Sequence, residues 1–199
     1  MDRLTDAAPV GRPRNPNVDR AILDAAQDLL LERGYAGTTV AAVAERARCG
    51  KSAIYRRWPG KADLVVAAVL ISQVPAVLPD TGSLRGDLVA AAMHFSGRDD
   101  RSARVLASML TALGDDDELR ATASREVGRP PVAAIAAVIE RWIERGVVPA
   151  TAPVALLAGI IPTAAFGSVV LQRRYLDESA VTELVDAVVI PALLAVARA

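Results

Sequence analysis

The sequence predicts an all-α protein of about nine helices, with an N-terminal three-helix unit and a larger helical domain behind it. Three observations favour this class. Apolar residues make up 52% of the 199 residues and aromatics only 4%, a composition typical of packed helices. Apolar residues recur at helical spacing in one segment after another, and no stretch alternates as a strand does. We expect an arm at 1–16, the three-helix unit at 17–61 and the larger domain at 62–199.

The first helix is predicted to follow a flexible arm that contains three prolines and a glycine. Asn17 is a residue type that caps helix N-termini. The residues that share one apolar face of this helix are Val18, Ile22, Ala25 and Leu29. Gly34 is expected to end the helix in a left-handed conformation, so that Tyr35 packs back on Leu30.

Two short helices joined by a tight turn are predicted next. Thr39 is expected to cap a second helix over 40–47. Cys49 and Gly50 form the turn, and a third helix over 51–58 is expected to stop at Pro59. This is the pattern of a helix-turn-helix.

Helical periodicity continues through the remainder of the chain. It predicts helices at 61–77, 84–96, 99–113, 115–146, 152–174 and 178–198. Pro130 and Pro131 lie inside the longest of these segments, and their missing amides should kink or split it.

Charge is distributed unevenly although the whole chain is neutral. Residues 46–61 contain six cations and no acid. These cations are Arg46, Arg48, Lys51, Arg56, Arg57 and Lys61. A local basic segment on a helix-turn-helix is expected where a protein contacts DNA phosphates.

Two runs of this region, GYAGTTVAAVAERA and KSAIYRRWPGKADLV, resemble the tetracycline-repressor (TetR) family of bacterial transcriptional regulators. The motif-level likeness spans residues 18–66. Membership implies an all-α homodimer with an N-terminal DNA-binding domain and a C-terminal domain that binds an inducer and dimerises. The implied function is that of a repressor released by a small molecule from a palindromic double-stranded DNA operator.

The turn departs from the family pattern. It is Ala47-Arg48-Cys49-Gly50 where the family commonly has Ala-Gly-Val-Ser. An arginine therefore replaces the usual turn glycine, and a glycine replaces the usual capping serine. Glycine is a tolerable N-cap, and Arg48 could add a phosphate contact.

The resemblance also implies which residues contact DNA. Lys51, Ser52 and Ala53 match positions that contact base edges at the start of the recognition helix. The residues expected at phosphates are Thr39, Arg48, Tyr55, Lys61 and at least one of Arg56 and Arg57. Ile54 and Trp58 are assigned to packing. Arg12 and Arg14 in the arm either reach the DNA or remain solvated, and these alternatives are equally weighted.

The C-terminal half supplies candidates for a ligand pocket and a dimer interface. The inducer is expected to be hydrophobic or weakly polar, because few cations lie near the candidate pocket residues in the sequence. The large or polarizable side chains of this half are Met93, His94, Phe95, Met109, Trp142 and Phe166, for each of which ordinary core packing is the alternative. The last two segments are apolar enough to pair with a second copy in a four-helix bundle. The expected interface residues are Ala155, Gly159, Thr163, Gly167, Leu184, Val188 and Leu194.

Several other classes are disfavoured. A single cysteine, Cys49, and a single histidine, His94, leave no disulfide, no multi-cysteine metal site and no Ser-His-Asp set. We therefore expect no enzyme activity, no metal and no cofactor. The N-terminus lacks the apolar core of a signal peptide, which favours the cytoplasm. The uncharged run over 151–172 meets the length criterion for a membrane span. A membrane-associated or scaffold protein is thus the alternative to a regulator, although a buried helix is favoured over a span.

Overall fold

The computed structural model describes residues 16–96 and 99–195, and these residues form nine helices without a named strand. The predicted all-α class and helix number are confirmed. The predicted arm, with Arg12 and Arg14, lies outside the described residues apart from Pro16, which opens the first helix.

The helices follow the predicted order. The first six are α1 Pro16–Gly37, α2 Val40–Arg46, α3 Lys51–Tyr55, α4 Lys61–Leu70, α5 Leu84–Ala92 and α6 Asp100–Leu110. A short 3-10 turn, Met93–Phe95, follows α5. Helix α7 runs through Asp117–Ala123, the π-helical turn Ser124–Gly128 and Arg129–Glu144. Helix α8 is Val154–Gln172, and α9 runs through Glu178–Leu184, the π-helical turn Val185–Val189 and Ile190–Ala195.

Several predicted helices, among them the third and the fourth, are too long at their C-terminal ends. The third ends at Tyr55 rather than at 58. The fourth ends at Leu70 rather than at 77, and the chain leaves it through a turn in which the Gln73 amide donates to the Leu70 carbonyl. Pro75 follows at once; it has no amide to continue the helix and disfavours helical backbone at Val74.

The break in α1 lies where the sequence predicted it. Gly34 has φ 65° and ψ −175°, so the positive φ is as expected but the ψ is not that of a left-handed helical residue. This conformation is accessible to glycine and strained for other residues. Tyr35 and Leu30 join the same buried cluster, as predicted.

Proline explains the π-helical turn in α7. A proline donates no hydrogen bond and crowds the carbonyl four residues before it. Immediately before Pro130, the Arg129 amide donates to Ser124, five residues back. The prolines therefore widen one turn rather than splitting the helix.

Three apolar clusters form the core, and the helix-turn-helix is not isolated from the rest. One cluster joins α1 to α4, including Ile22, Val43 and Ile54. A second joins the far side of α1 and α4 to α6 and α7. The third fills the space among α5, α7, α8 and α9. Helix α4 contributes to the first two clusters and so links the two halves.

Helix α8 is long and apolar enough to span a membrane, with mean hydropathy 2.2 over its most apolar window. Most of its buried apolar residues, including Leu157, Ile161 and Ala165, belong to the third core cluster and pack with α7, and Val169 belongs to the second. Packing within the helical bundle therefore explains the apolar composition of one side of α8.

Candidate DNA interface and ligand cavity

The turn between α2 and α3 is built on two capping positions. The Thr39 hydroxyl accepts from the Ala42 amide at 3.1 Å and fixes the start of α2, as predicted. Gly50 caps α3 in extended conformation without a side-chain hydrogen bond. Between them, Arg48 has φ 51°. An arginine thus takes the left-handed backbone that the usual glycine adopts freely.

A single buried anchor orients α3. Ile54 is fully buried in the first cluster, and Trp58 packs partly against it. The opposite side of the helix faces outward. Lys51, Ser52, Tyr55 and Arg56 are exposed there, and Ala53 is half-buried. The helix therefore presents its first two residues and the pair one turn later as a continuous strip.

The six cations of the basic segment divide into two sets of three. The first set, Arg46, Arg57 and Lys61, interacts with other groups of the protein. Arg46 donates two hydrogen bonds to the Glu32 carboxylate at 2.7 and 2.6 Å. That paired geometry leaves its charge largely compensated.

Arg57 is turned inward, contrary to the expectation that it faces DNA. Its side chain is only 14% exposed, its guanidinium is ion-paired with Asp19 of α1, and one nitrogen donates to the Ala53 carbonyl at 2.8 Å. The pair ties the end of α3 to α1. Arg57 is thus better described as a positioning residue than as a DNA contact.

Lys61 lies at the junction between the two halves. Its ammonium sits 3.8 Å from the centre of the Tyr35 ring, and the Tyr35 hydroxyl donates to Asp116 at 3.0 Å. Burial lowers the pKa of Lys61, against a smaller opposite effect of the Asp116 charge. The Tyr35 and Asp116 contacts explain why a lysine at this position is held in place.

The second set of cations is exposed and unpaired. Arg48, Lys51 and Arg56 make no ion pair within residues 16–96 and 99–195. Lys51 is the first residue of α3, and Arg48 and Arg56 lie just before and just after the helix. Thr39 and Tyr55 are exposed nearby in the chain. This combination of unpaired cations, hydroxyl groups and an accessible helix start is suited to phosphates and base edges.

A cavity of about 270 Å³ lies where the end of α4 meets the π-helical turn of α7. The residues that line it are Leu70, Gln73, Val74, Pro75, Ala76, His94, Glu126, Val127, Pro130 and Pro131. A narrow inner extension shares Gln73, His94 and Val127 with it and is closed by Phe95 and Phe166, whose rings meet edge to face at 6.0 Å.

Three of the six predicted pocket residues lie in this region and three do not. His94, Phe95 and Phe166 line the cavity or its extension. Met93 packs against the third cluster and Met109 is fully buried in the second. Trp142 is in the core because its indole nitrogen donates to buried Asp87 at 2.8 Å. These three are structural residues.

Asp87 of α5 holds the chain segment that precedes this helix. Its carboxylate is fully buried and accepts from the Thr81 amide and hydroxyl at 2.5 and 2.7 Å and from Arg141 and Trp142 at 2.8 Å. Burial alone would raise its pKa. These hydrogen bonds outweigh that effect and lower the pKa to about 2.

The predicted dimer residues mostly lie on the outer faces of α8 and α9. Ala155, Thr163, Val188 and Leu194 are exposed, and Gly159 and Gly167 are half-buried. Leu184 instead packs partly against the third cluster. Two leucines that the sequence did not single out share this outer face, Leu156 at 68% exposed and Leu171 at 83%.

The cavity-lining residues that sequence reasoning did not identify have no distinctive sequence pattern. Gln73–Ala76 was expected to be helical, and Val127 resembles any core position. The Pro130-Pro131 pair was the available clue, since it marks a distorted turn that leaves space. Within the described part of the chain, no group of three or more His, Cys, Asp or Glu residues is placed to hold a metal ion.

Comparison with known proteins gives concordant matches over both halves. Residues 22–68 match the family model for "Bacterial regulatory proteins, tetR family", and 78–188 match "Tetracyclin repressor-like, C-terminal domain". An uncharacterized HTH-type transcriptional regulator of Mycobacterium tuberculosis is 32% identical over 194 residues, covering 96% of this chain and 93% of the relative.

Solved structures share the fold. NalD of Pseudomonas aeruginosa, the secondary repressor of the MexAB-OprM multidrug efflux pump, superposes with a TM-score of 0.66 at 18% identity, over 89% of this chain and 97% of NalD. The Bacillus subtilis transcriptional regulator FadR in complex with stearoyl-CoA gives 0.55 at 14% identity, over 87% of this chain and 97% of FadR.

Proposed function

Because the chain belongs to the TetR family of DNA-binding transcriptional regulators, we propose that it is a cytoplasmic, dimeric repressor released from its operator by a small molecule. The observation that carries this proposal is the division of the basic segment: three of its cations interact with other groups of the protein, and three around α3 have no ion pair within the described residues. Unpaired cations at the opening of a recognition helix match the demands of a DNA groove.

In this proposal Lys51, Ser52 and Ala53 contact base edges, with Lys51 donating to guanine. The phosphate contacts come from Thr39, Arg48, Tyr55 and Arg56. Lys61 contributes a phosphate contact only if its ammonium leaves the Tyr35 ring, since it now lies over that ring.

Dimerisation through the outer faces of α8 and α9 is supported by two features. Exposed Leu156 and Leu171 are costly in water and are covered if a second copy packs there. A Cβ placed on Gly159 or Gly167 would meet nothing within 4 Å in this chain, so these glycines are not needed for packing within one subunit. They would let a partner helix approach closely. A two-fold dimer predicts a palindromic operator.

The cavity supplies the route by which a small molecule acts. Leu70, at the end of α4, forms part of its wall, and the start of α4 connects directly to the helix-turn-helix. A ligand that shifts α4 would therefore change the spacing of the two recognition helices in a dimer. A few kcal/mol of differential affinity suffices for such coupling. The membrane-associated alternative receives no support from the matches or from the packing of α8.

A mobility-shift assay tests the DNA-binding half of the proposal. The probes are DNA fragments upstream of the protein's own gene and of the neighbouring genes. We expect a specific complex that weakens steeply with salt. Absence of specific, salt-sensitive binding at every fragment would refute the repressor assignment.

The dimer is tested separately by sedimentation. Thr163→Arg places a charge on the exposed face of α8 and should leave a folded monomer. Thr151→Arg, at an exposed position before α8 begins, is the matched control and should remain a dimer. A dimeric Thr163→Arg protein would place the interface elsewhere.

A further inference from the structure

The cavity beside the π-helical turn is apolar over most of its wall. Seven of its ten lining residues are aliphatic or proline, and the three polar ones are Gln73, His94 and Glu126. Among the lining residues that the structure describes, Glu126 contributes the only full charge, and none is a lysine or an arginine. A ligand there meets a hydrophobic surface with one anionic position.

The backbone adds a second acceptor at the same residue. Within a helix, the Glu126 carbonyl could accept from the residue four or five positions later. These are Pro130 and Pro131, which have no amide hydrogen. The Arg129 amide is directed to Ser124 instead. Glu126 therefore brings a carboxylate to the cavity, and its carbonyl has no amide donor four or five positions later in its own helix.

A third contribution comes from α4, whose C-terminal residue Leu70 also lines the cavity. The carbonyl end of a helix carries partial negative charge and favours cations. Glu126 and the carbonyl end of α4 thus give the polar side of the cavity the same negative sign.

We propose that the cavity binds lipophilic amines: molecules with an apolar, ring-sized body and a protonated nitrogen held at Glu126. This rests on the proposed function only in treating the cavity as the effector site. A carboxylate or phosphate ester would face the Glu126 charge with no cation among the described lining residues to offset it. Arg125 occupies the carboxylate at 2.8 Å, but both side chains are about half exposed. Such a surface pair contributes little, so an incoming ammonium can displace the arginine.

A matched series tests the proposal with the full-length dimer. The probes are 4-phenylbutylamine, 4-phenylbutan-1-ol and 4-phenylbutyrate, which share one skeleton and differ in the terminal group. Titration calorimetry should give the lowest Kd for the amine, about fivefold or more below that of the alcohol. The carboxylate should bind more weakly than the alcohol.

Variants locate the preference. Glu126→Gln should reduce the difference between amine and alcohol to less than about twofold and leave alcohol binding unchanged. Glu140→Gln is the matched control, because Glu140 is an exposed residue of the same helix, 14 positions or about 21 Å away. It should preserve the full preference for the amine.

The opposite results overturn the assignment. They are tightest binding by the carboxylate, an amine preference that survives Glu126→Gln, and failure of all three probes to bind. Operator binding by the ligand-free protein is measured separately by mobility shift. A protein that binds the amine but no operator contradicts the proposed function and leaves the amine proposal intact. A protein that binds an operator but does not prefer the amine contradicts the amine proposal and leaves the proposed function intact.

Discussion

The exposed side of α3 and the buried core of the C-terminal half hold their charged groups in opposite ways. In the N-terminal half, Arg48, Lys51 and Arg56 remain exposed and unpaired around a short helix. In the C-terminal half, Asp87 is fully buried and its carboxylate accepts four hydrogen bonds. A charged group that has hydrogen-bond or ion-pair partners inside the protein stabilises the fold. A charged group without such partners is available to a binding partner. This difference separates residues that shape the protein from residues that we propose to contact DNA.

The largest expected effect comes from removing the buried charge. Asp87→Ala leaves Arg141 and the Trp142 indole without their acceptor, so the free energy of unfolding should fall by about 3–5 kcal/mol. Chemical denaturation measures this. Asp186→Ala, which breaks the exposed Asp186–Arg85 pair, is the control and should cost less than about 1 kcal/mol. Equal losses of unfolding free energy in the two variants would show that the buried carboxylate stabilises the protein no more than the exposed one.

The same carboxylate predicts an acid dependence of stability. The pKa of Asp87 is about 2 in the folded protein and about 3.9 in an unfolded chain. Because the folded value is depressed, its contribution is present above pH 4 and is lost as the pH falls from about 4 towards 2. Unfolding measured across this range should show a loss in the wild type that Asp87→Ala lacks. Parallel curves for the two proteins would mean that the carboxylate is not held as described.

On the exposed side, Lys51→Ala should weaken operator binding by about 1–3 kcal/mol while leaving stability unchanged. Arg46→Ala is the informative comparison, since Arg46 belongs to the same basic segment but is bound to Glu32. It should weaken operator binding by no more than about twofold. If both variants lose the same affinity in a mobility-shift titration, the division of the cations is wrong.

Removing Arg48 and Arg56 together should change the salt dependence of binding more than the affinity at low salt. Each lost phosphate contact reduces the slope of log K against log salt by about 0.9, or about 3.6 for the four contacts of a dimer. Binding isotherms at several salt concentrations give the slope. A slope equal to that of the wild type would exclude both arginines from the phosphate backbone.

The smallest effect concerns the strained turn. Arg48→Gly relieves a positive φ of 51° at a residue with a side chain and should raise the free energy of unfolding by about 0.5–1 kcal/mol. The same change should weaken DNA binding, so stability and affinity move in opposite directions. Arg56→Gly, at a residue with φ −67°, should not stabilise the protein.

Local signals predicted much of the fold and part of the site. Thr39 is a capping residue and Gly34 a helix breaker, and the effects of both extend over only a few residues. Thr39 caps α2 as expected, and Gly34 has the expected positive φ but not the ψ of a left-handed helical residue. The prediction of a helix over 61–77 was wrong at its C-terminal end, because it followed the apolar periodicity past Pro75. The proline is the stronger local signal.

Contacts between distant residues could not be predicted in this way. The Arg57–Asp19 pair joins the end of α3 to the first turn of α1, and only the folded arrangement of the helices brings the two together. The same holds for Trp142, whose aromatic ring suggested a pocket but whose indole nitrogen serves Asp87. Cavities are the hardest case, since the residues around them resemble core residues until the space beside them is known.

The position of α4 in two clusters limits how this protein can be recombined with its relatives. Val65, Val66 and Val69 pack into the second cluster, while Leu64 and Ala68 pack into the first. A chimera cut at residue 61 would pair each N-terminal unit with a foreign α4, and the expected product is a poorly soluble fusion. A junction after Ile71 keeps the helix with its own α1, and only the α6 and α7 side must then be matched. The exchangeable module of this regulator is therefore longer than its helix-turn-helix.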